Sequence, residues 1–202
     1  MSISGDALGG RLPLAERSAL SESQQQLFDR LAESVVPWAE RAGFACRTQD
    51  GRFIGPFNAA LLSPAIAGRF LAFQATEEQN TSLTERERQV VILAVGAVWR
   101  SAYELYAHSA AGRTAGLSQQ AVEALAAGQM PGELSASEQC AWRFAHQLTT
   151  GRQVGQPVYD QALESFGAHG IADMVFLIGA YQTICGVLNA FEIPAPETGH
   201  LR

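Results

Sequence analysis

Between Thr84 and Trp99 the chain passes from a charged turn, Thr84-Glu85-Arg86-Glu87, into a run from Val90 onward in which every residue is apolar or glycine. The turn is a capping box: the Thr84 hydroxyl and the Glu87 carboxylate can each take one of the exposed backbone donors at a helix start. A helix that is apolar on all sides has no face to offer water, so other elements must wrap it. No segment shows sustained two-residue alternation bounded by strand-type turns, so those elements are helices and the fold class is all-α.

A chain of 202 residues with 47 % hydrophobic content has enough apolar surface for a sizeable core. Its formal charge of −6, with no Lys/Arg cluster, gives no electrostatic reason to bind nucleic acid. A small molecule or another copy of the chain is the expected partner. Cys46, Cys140 and Cys185 are odd in number, far apart and without a C-x-x-C, so neither a disulfide framework nor a thiolate metal site is expected, and a reducing cytoplasm fits. The start Met-Ser-Ile-Ser-Gly-Asp lacks the basic and apolar regions of a secretory signal. The most apolar runs, Val90 to Trp99 and Met174 to Tyr181, fall short of the ~18 residues a membrane helix needs, and read as buried core helices.

Residues 1–20 mix Gly, Ser and isolated apolar residues without a period, and are expected to form a flexible arm before one helical domain over 21–202. From Ser21 the positions Leu27, Phe28, Leu31 and Val35 follow helical spacing until Pro37, which should end or kink the helix. Residues 43–57 read as loop with a turn at Asp50-Gly51. Ser63-Pro64 offers a capping hydroxyl and a first-turn proline. Ser118 opens a short helix ending at Gly128, and Ser135-x-x-Glu138 opens one ending near Gly151. Pro157 starts a helix that stops at Gly167, and the last runs from Ile171 to Phe191.

Within this all-helical pattern Glu104 and His108 stand four residues apart, which puts carboxyl and imidazole on one helical face. Facing a cleft, they form an acid/base couple in which the carboxylate sets the imidazole tautomer and raises its proton affinity. The plainer alternative is local: Ser101-x-x-Glu104 makes a second capping box, with His108 an ordinary intrahelical partner. Tyr103 and Tyr106 either line a pocket or pack in the core. The remaining histidines, His146, His169 and His200, show no ligand spacing, so no metal is expected, and His146 near Trp142 reads as packed. The charged run from Glu85 to Arg88 reads as a solvated helix start.

The segment LTERERQVVILAVGAVWRSAYELYAHSAAGRTAGLS, over residues 83–118, resembles the carboxymuconolactone decarboxylase family, which shares its helical fold with the alkylhydroperoxidase D family. The L-T-x-R-E-R opening, the apolar helix, the Glu-x-x-x-His step and the Ala-Gly-Leu-Ser turn carry the resemblance. Gly55-Pro56-Phe57-Asn58, Leu62-Ser63-Pro64, Phe144-Ala145-x-x-Leu148 and Leu188-Asn189-Ala190-Phe191 extend it over roughly residues 50–192. The peroxidase branch carries cysteines where this chain has Ser101 and Glu104, and a glutamate where it has Gln89, so peroxide reduction lacks its redox residues. What remains is similar to the decarboxylase branch, which removes carbon dioxide from a carboxylated lactone without metal or cofactor. The resemblance implies His108 as proton donor, Glu104 orienting or recharging it, and Arg100 receiving the carboxylate or enolate oxygen. Ser101, Tyr103 and Gln89 complete the implied substrate-binding set. It also implies a homo-oligomer, trimeric or hexameric. Three readings stand: a cofactor-independent lyase, a thiol peroxidase disfavoured by the missing C-x-x-C, and a non-catalytic helical binding or assembly protein.

Overall fold

The structure, a computed structural model, describes residues 5–196. Eight α-helices account for most of it: α1 Glu22–Ala42, α2 Pro56–Ala60, α3 Pro64–Asn80, α4 Glu85–Trp99, α5 Ala102–Thr114, α6 Gln119–Ala126, α7 Ala136–Gly151 and α8 Gln156–Ala190. Among the described residues the only extended pairing is an isolated bridge between Arg47 and Phe53. The all-α class is what the pattern required.

Helix α4 is the central element. Ten consecutive residues, Glu87 to Gly96, are buried, and α5, α6, α7 and α8 all pack on it. The Thr84/Glu87 box forms in full, with Thr84 N–H donating to Glu87 Oε2 at 2.9 Å. An equivalent box at Ser135/Glu138 opens α7. The charged start is not solvated as expected, because Glu87, Arg88 and Gln89 are turned inward and buried.

Helix α4 ends at Arg100, whose left-handed conformation (φ 50°) reverses the chain directly into α5. Gly96 lets the two helices touch, since a Cβ there would lie 3.2 Å from Leu105 Cδ2 and 3.4 Å from Glu104 Cγ. Helix α8 is long and apolar enough by length and composition to cross a membrane. Here it breaks at Gly167 (φ 64°, ψ 176°), near the expected stop, and buries Met174, Leu177, Ile178, Tyr181 and Cys185 against α4 and α7.

Helix α1 passes through Pro37 without ending. The carbonyl deprived of its donor belongs to Glu33, which like Pro37 lies on the exposed side where water can replace the bond. Two local expectations are corrected. Ser63 contributes no side-chain cap; its backbone carbonyl takes the Ala67 N–H at 2.9 Å. The described part of the N-terminal arm, residues 5–20, is packed onto the helices. Leu14 is buried, and Asn58, itself buried, holds this segment by accepting from Ala15 N at 3.0 Å and donating to the Pro13 carbonyl at 3.1 Å. Residues 1–4 of that arm lie outside the described residues.

Candidate active site

Glu104 and His108 meet inside the protein, 3 % and 4 % exposed. The Ser101 capping box does not form, for a local reason: the Ser101 N–H is already donated to the Gly96 carbonyl at 3.1 Å, closing the end of α4. Glu104 therefore has no backbone donor to reach back to, and its Oε1 lies 3.3 Å from His108 Nε2. The contact is close, yet misaligned for a hydrogen bond, and Oε1 has no other protein partner.

On the far side of the ring, His108 Nδ1 lies 2.9 Å from Gln89 Oε1. The Gln89 amide is oriented by Glu85, a carboxylate that accepts from Nε2 at 2.8 Å. With the amide nitrogen committed there, the oxygen faces the imidazole and must accept, so Nδ1 carries the proton. The bare lone pair of Nε2 then points towards Glu104.

Burial fixes the protonation states. Desolvation pushes the Glu104 carboxyl up to about 8, so at neutral pH it is mainly an undissociated acid. His108 is pushed down to about 3, first by desolvation and then by the positive charge of Arg88. The expected couple, carboxylate beside a near-neutral imidazole, is thus inverted. The proton at neutral pH sits on Glu104, and the imidazole is uncharged.

A cavity of about 400 Å³ opens over this pair, lined from α1, α2, α3, α5 and α8. Trp38, Phe57, Phe70 and Ile184 are among its apolar walls, and Glu104, His108, Tyr103 and Tyr181 are its ionisable lining. Tyr181 meets the His108 ring edge-on, with centroids 5.0 Å apart. Both tyrosine hydroxyls are held well above their usual range by burial and remain neutral. Tyr103 offers the cavity only its ring, because its hydroxyl donates to the Ala45 carbonyl at 2.7 Å. Tyr106 takes the Ala45 N–H at 2.9 Å, so the two tyrosines pin one point of the 43–55 loop. Gly55 (φ 66°) permits that arrangement, since a Cβ would fall 2.3 Å from Tyr103 Cζ.

The other expected binding residues lie off the cavity wall. Arg100 is exposed, because its left-handed cap conformation projects it from the helix junction. Gln89 stands behind His108 as its orienting group, and Ser101 is fully buried beside the Cys185 thiol, with its Oγ lacking a well-aligned hydrogen bond. The cation near the pair is Arg88, from the charged start of α4. It forms a buried ion pair with Glu77 and approaches Glu85 at 3.6 Å, but does not line the cavity. Its only sequence signal was its place one residue before Gln89. His146 stacks on Trp142 at 4.7 Å. Among the described residues no group of three His, Cys, Asp or Glu side chains could hold a metal ion.

Residues 64–147 match the carboxymuconolactone decarboxylase family. That match supports a place for this stretch among carboxymuconolactone decarboxylase-like proteins. No curated protein matches it in sequence. Among solved structures it is similar to the alkylhydroperoxidase AhpD core of an uncharacterized peroxidase-related protein from Ralstonia eutropha JMP134, with 16 % identity and a TM-score of 0.72 over 95 % of this chain and 94 % of that one. An uncharacterized peroxidase-related protein from Silicibacter sp. TM1040 gives 19 % and 0.71 over 99 % and 96 %. A variant of the debrominase Bmp8, in complex with 2,3,4-tribromopyrrole, gives 12 % and 0.68 over 91 % and 90 %. At these identities the likeness is one of fold.

Proposed function

We propose that this chain is a thiol-free acid/base enzyme, a carboxy-lyase acting on a small carboxylated, lactone-like substrate, with Glu104 as proton donor and His108 as the group that holds the donor in place. One observation carries the reading: a buried carboxyl and a buried imidazole stand 3.3 Å apart on the wall of an open cavity, where burial pushes the carboxyl up and the imidazole down. A member of the fold that had become a mere scaffold would have no need of the open cavity over that pair.

In the proposed step the carbon–carboxylate bond breaks, carbon dioxide leaves, and its bonding electrons remain on the substrate as an enolate. Glu104 transfers its proton to the carbanionic carbon and is left as carboxylate. Solvent restores that proton at neutral pH, because the folded carboxyl releases it only around 8. The apolar walls exclude water and favour dispersal of the carboxylate charge.

The thiols do not support the peroxidase alternative. Burial raises Cys46 to about 11 and raises Cys140 and Cys185 as well, so all three are held as thiols. Self-association as a trimer or hexamer belongs to the proposal; Ile66, Phe73 and Phe176 are exposed apolar side chains on α3 and α8, and gel filtration showing monomer alone would count against it.

The test is carbon dioxide release from a carboxylated lactone by the full chain, with His108→Ala and Glu104→Gln compared at constant helical circular dichroism. Both variants should lose at least about 10²-fold in rate, the usual scale for a general acid. Undiminished release in either would sink the assignment.

A further inference from the structure

Carbon dioxide leaves behind a pair of electrons that comes to rest on an oxygen of the substrate, and an oxygen gathering charge in an apolar cavity needs a hydrogen-bond donor. The cavity is short of donors. Among the described residues no lysine or arginine lines it, Arg100 is exposed outside it, and Arg88 is engaged by Glu77 off the wall. The Tyr103 hydroxyl is committed to the Ala45 carbonyl, and the Thr183 hydroxyl to the Gly179 carbonyl at 3.0 Å. Glu104 must keep its own proton for the carbon.

Tyr181 is the exception. It lines the cavity from α8 while only 9 % exposed, and its hydroxyl makes no hydrogen bond with any described residue. Nor is that hydroxyl sealed in: it keeps surface of its own, unlike Glu104 Oε1, which has none. The ring stands edge-on to His108 with centroids 5.0 Å apart, and the Glu104 carboxyl is close enough to act on the acidity of the hydroxyl. A deeply placed donor left without a protein partner ordinarily weakens a fold, so one kept beside an acid/base pair on a cavity wall points to a ligand atom as its partner.

We propose that the Tyr181 hydroxyl is the cavity's hydrogen-bond donor to a carbonyl oxygen of the bound molecule, and that it holds the enolate oxygen once carbon dioxide has left. The first part rests on the cavity alone; the second rests on the lyase reading above. In that step the electrons of the breaking carbon–carboxylate bond form a carbon–carbon double bond, the carbonyl pair moves onto its oxygen, and Tyr181 donates to that oxygen while keeping its proton. Glu104 then protonates the carbon and the carbonyl re-forms. Burial holds the hydroxyl well above its usual range, so at neutral pH it stays a donor.

The rival donor is the indole N–H of Trp38, a half-buried wall residue whose ring lies 6.0 Å from His108. Tyr181 is closer to that ring and more deeply buried, where water competes less for the bond.

The experiment uses acetophenone labelled with carbon-13 at its carbonyl, an uncharged probe that needs no turnover, with the full chain and its Tyr181→Phe and Trp38→Phe variants. The signal of the bound carbonyl should be the same in the parent and Trp38→Phe and move upfield in Tyr181→Phe, where affinity should fall about fivefold, the loss of one net hydrogen bond. Tyr181→Phe should leave the urea midpoint unchanged or raised, because its hydroxyl has no protein partner, whereas Tyr103→Phe should lower it. With a carboxylated lactone, Tyr181→Phe should lower kcat for carbon dioxide release about 10²-fold with little change in KM.

A bound carbonyl signal unmoved by Tyr181→Phe, one moved by Trp38→Phe instead, no binding at millimolar acetophenone, or a lowered urea midpoint in Tyr181→Phe each overturns the inference. Unchanged kcat in Tyr181→Phe, where His108→Ala stops the reaction, overturns its second part. Failure of the lyase reading is distinguishable. It would show as carbon dioxide release unaffected by His108→Ala, whatever the acetophenone signal does.

Discussion

Replacing Glu104 by glutamine tests the buried acid without reference to any substrate. In the unfolded chain a glutamate ionises near 4.5, whereas folded Glu104 holds its proton to about 8. Between those values the unfolded state has released a proton that the fold retains, so stability is fully present below 4.5 and falls as pH rises, until the loss is complete above about 8. Spread over roughly 3.5 pH units at ~1.4 kcal/mol each, the loss is about 5 kcal/mol. His108 works in the opposite sense, since its folded value near 3 lies below the ordinary 6.5 and stability is lost as pH falls through that window. From 4.5 to 6.5 the two slopes cancel, and above 6.5 that of Glu104 stands alone. Glutamine keeps the shape and does not titrate. His108, Tyr103, Tyr181 and Cys185 lie close to the carboxyl and Arg88 acts on His108, but they are common to both proteins, so their titrations largely drop out of the difference. Urea denaturation followed by far-ultraviolet circular dichroism should show the stability of Glu104→Gln relative to the parent rising by about 4 kcal/mol between about pH 5 and pH 8.5. A difference that stays constant within about 1 kcal/mol would refute the reasoning, because it would mean that Glu104 ionises as an ordinary carboxylate.

Gln89→Leu leaves the His108 Nδ1–H buried without an acceptor, which should cost about 1–3 kcal/mol in denaturation and release the tautomer, visible in the nitrogen-15 shifts of the imidazole. Arg88→Met strands the Glu77 carboxylate in a buried position and should cost about 3–5 kcal/mol, while the His108 titration followed by proton NMR moves up as a nearby positive charge is lost. Gly55→Ala forces a side chain into a left-handed position and against the Tyr103 ring; a loss of at least about 2 kcal/mol is expected, read as a lower urea midpoint.

The helix starts at Thr84, Ser118 and Ser135, the stops near Gly128 and Gly151 and the break at Gly167 could be read along the chain, because each depends on backbone groups within one turn of the residue that signals it. So could the meeting of Glu104 with His108, since helical spacing alone puts them on one face. Signals of the same local kind failed where the neighbouring backbone groups were already satisfied. Ser101 offered a capping box, but its N–H was taken by Gly96 at the end of the preceding helix. Pro37 signalled a stop or a kink, and α1 continues through it because the freed carbonyl is exposed to water and the flanking Val35, Val36 and Ala39 are held in the core.

By itself, then, the sequence determined an all-helical chain wound around one apolar helix, and a carboxyl and an imidazole placed within reach of each other. The tertiary structure alone decided which of the two holds the proton, that Arg88 and not Arg100 stands near them, and that the space in front is walled by hydrocarbon. The reason is physical. Spacing is a property of a few consecutive residues, whereas the dielectric around Glu104 is set by α1, α3 and α8, which carry Trp38, Phe70 and Tyr181 to it from remote parts of the chain.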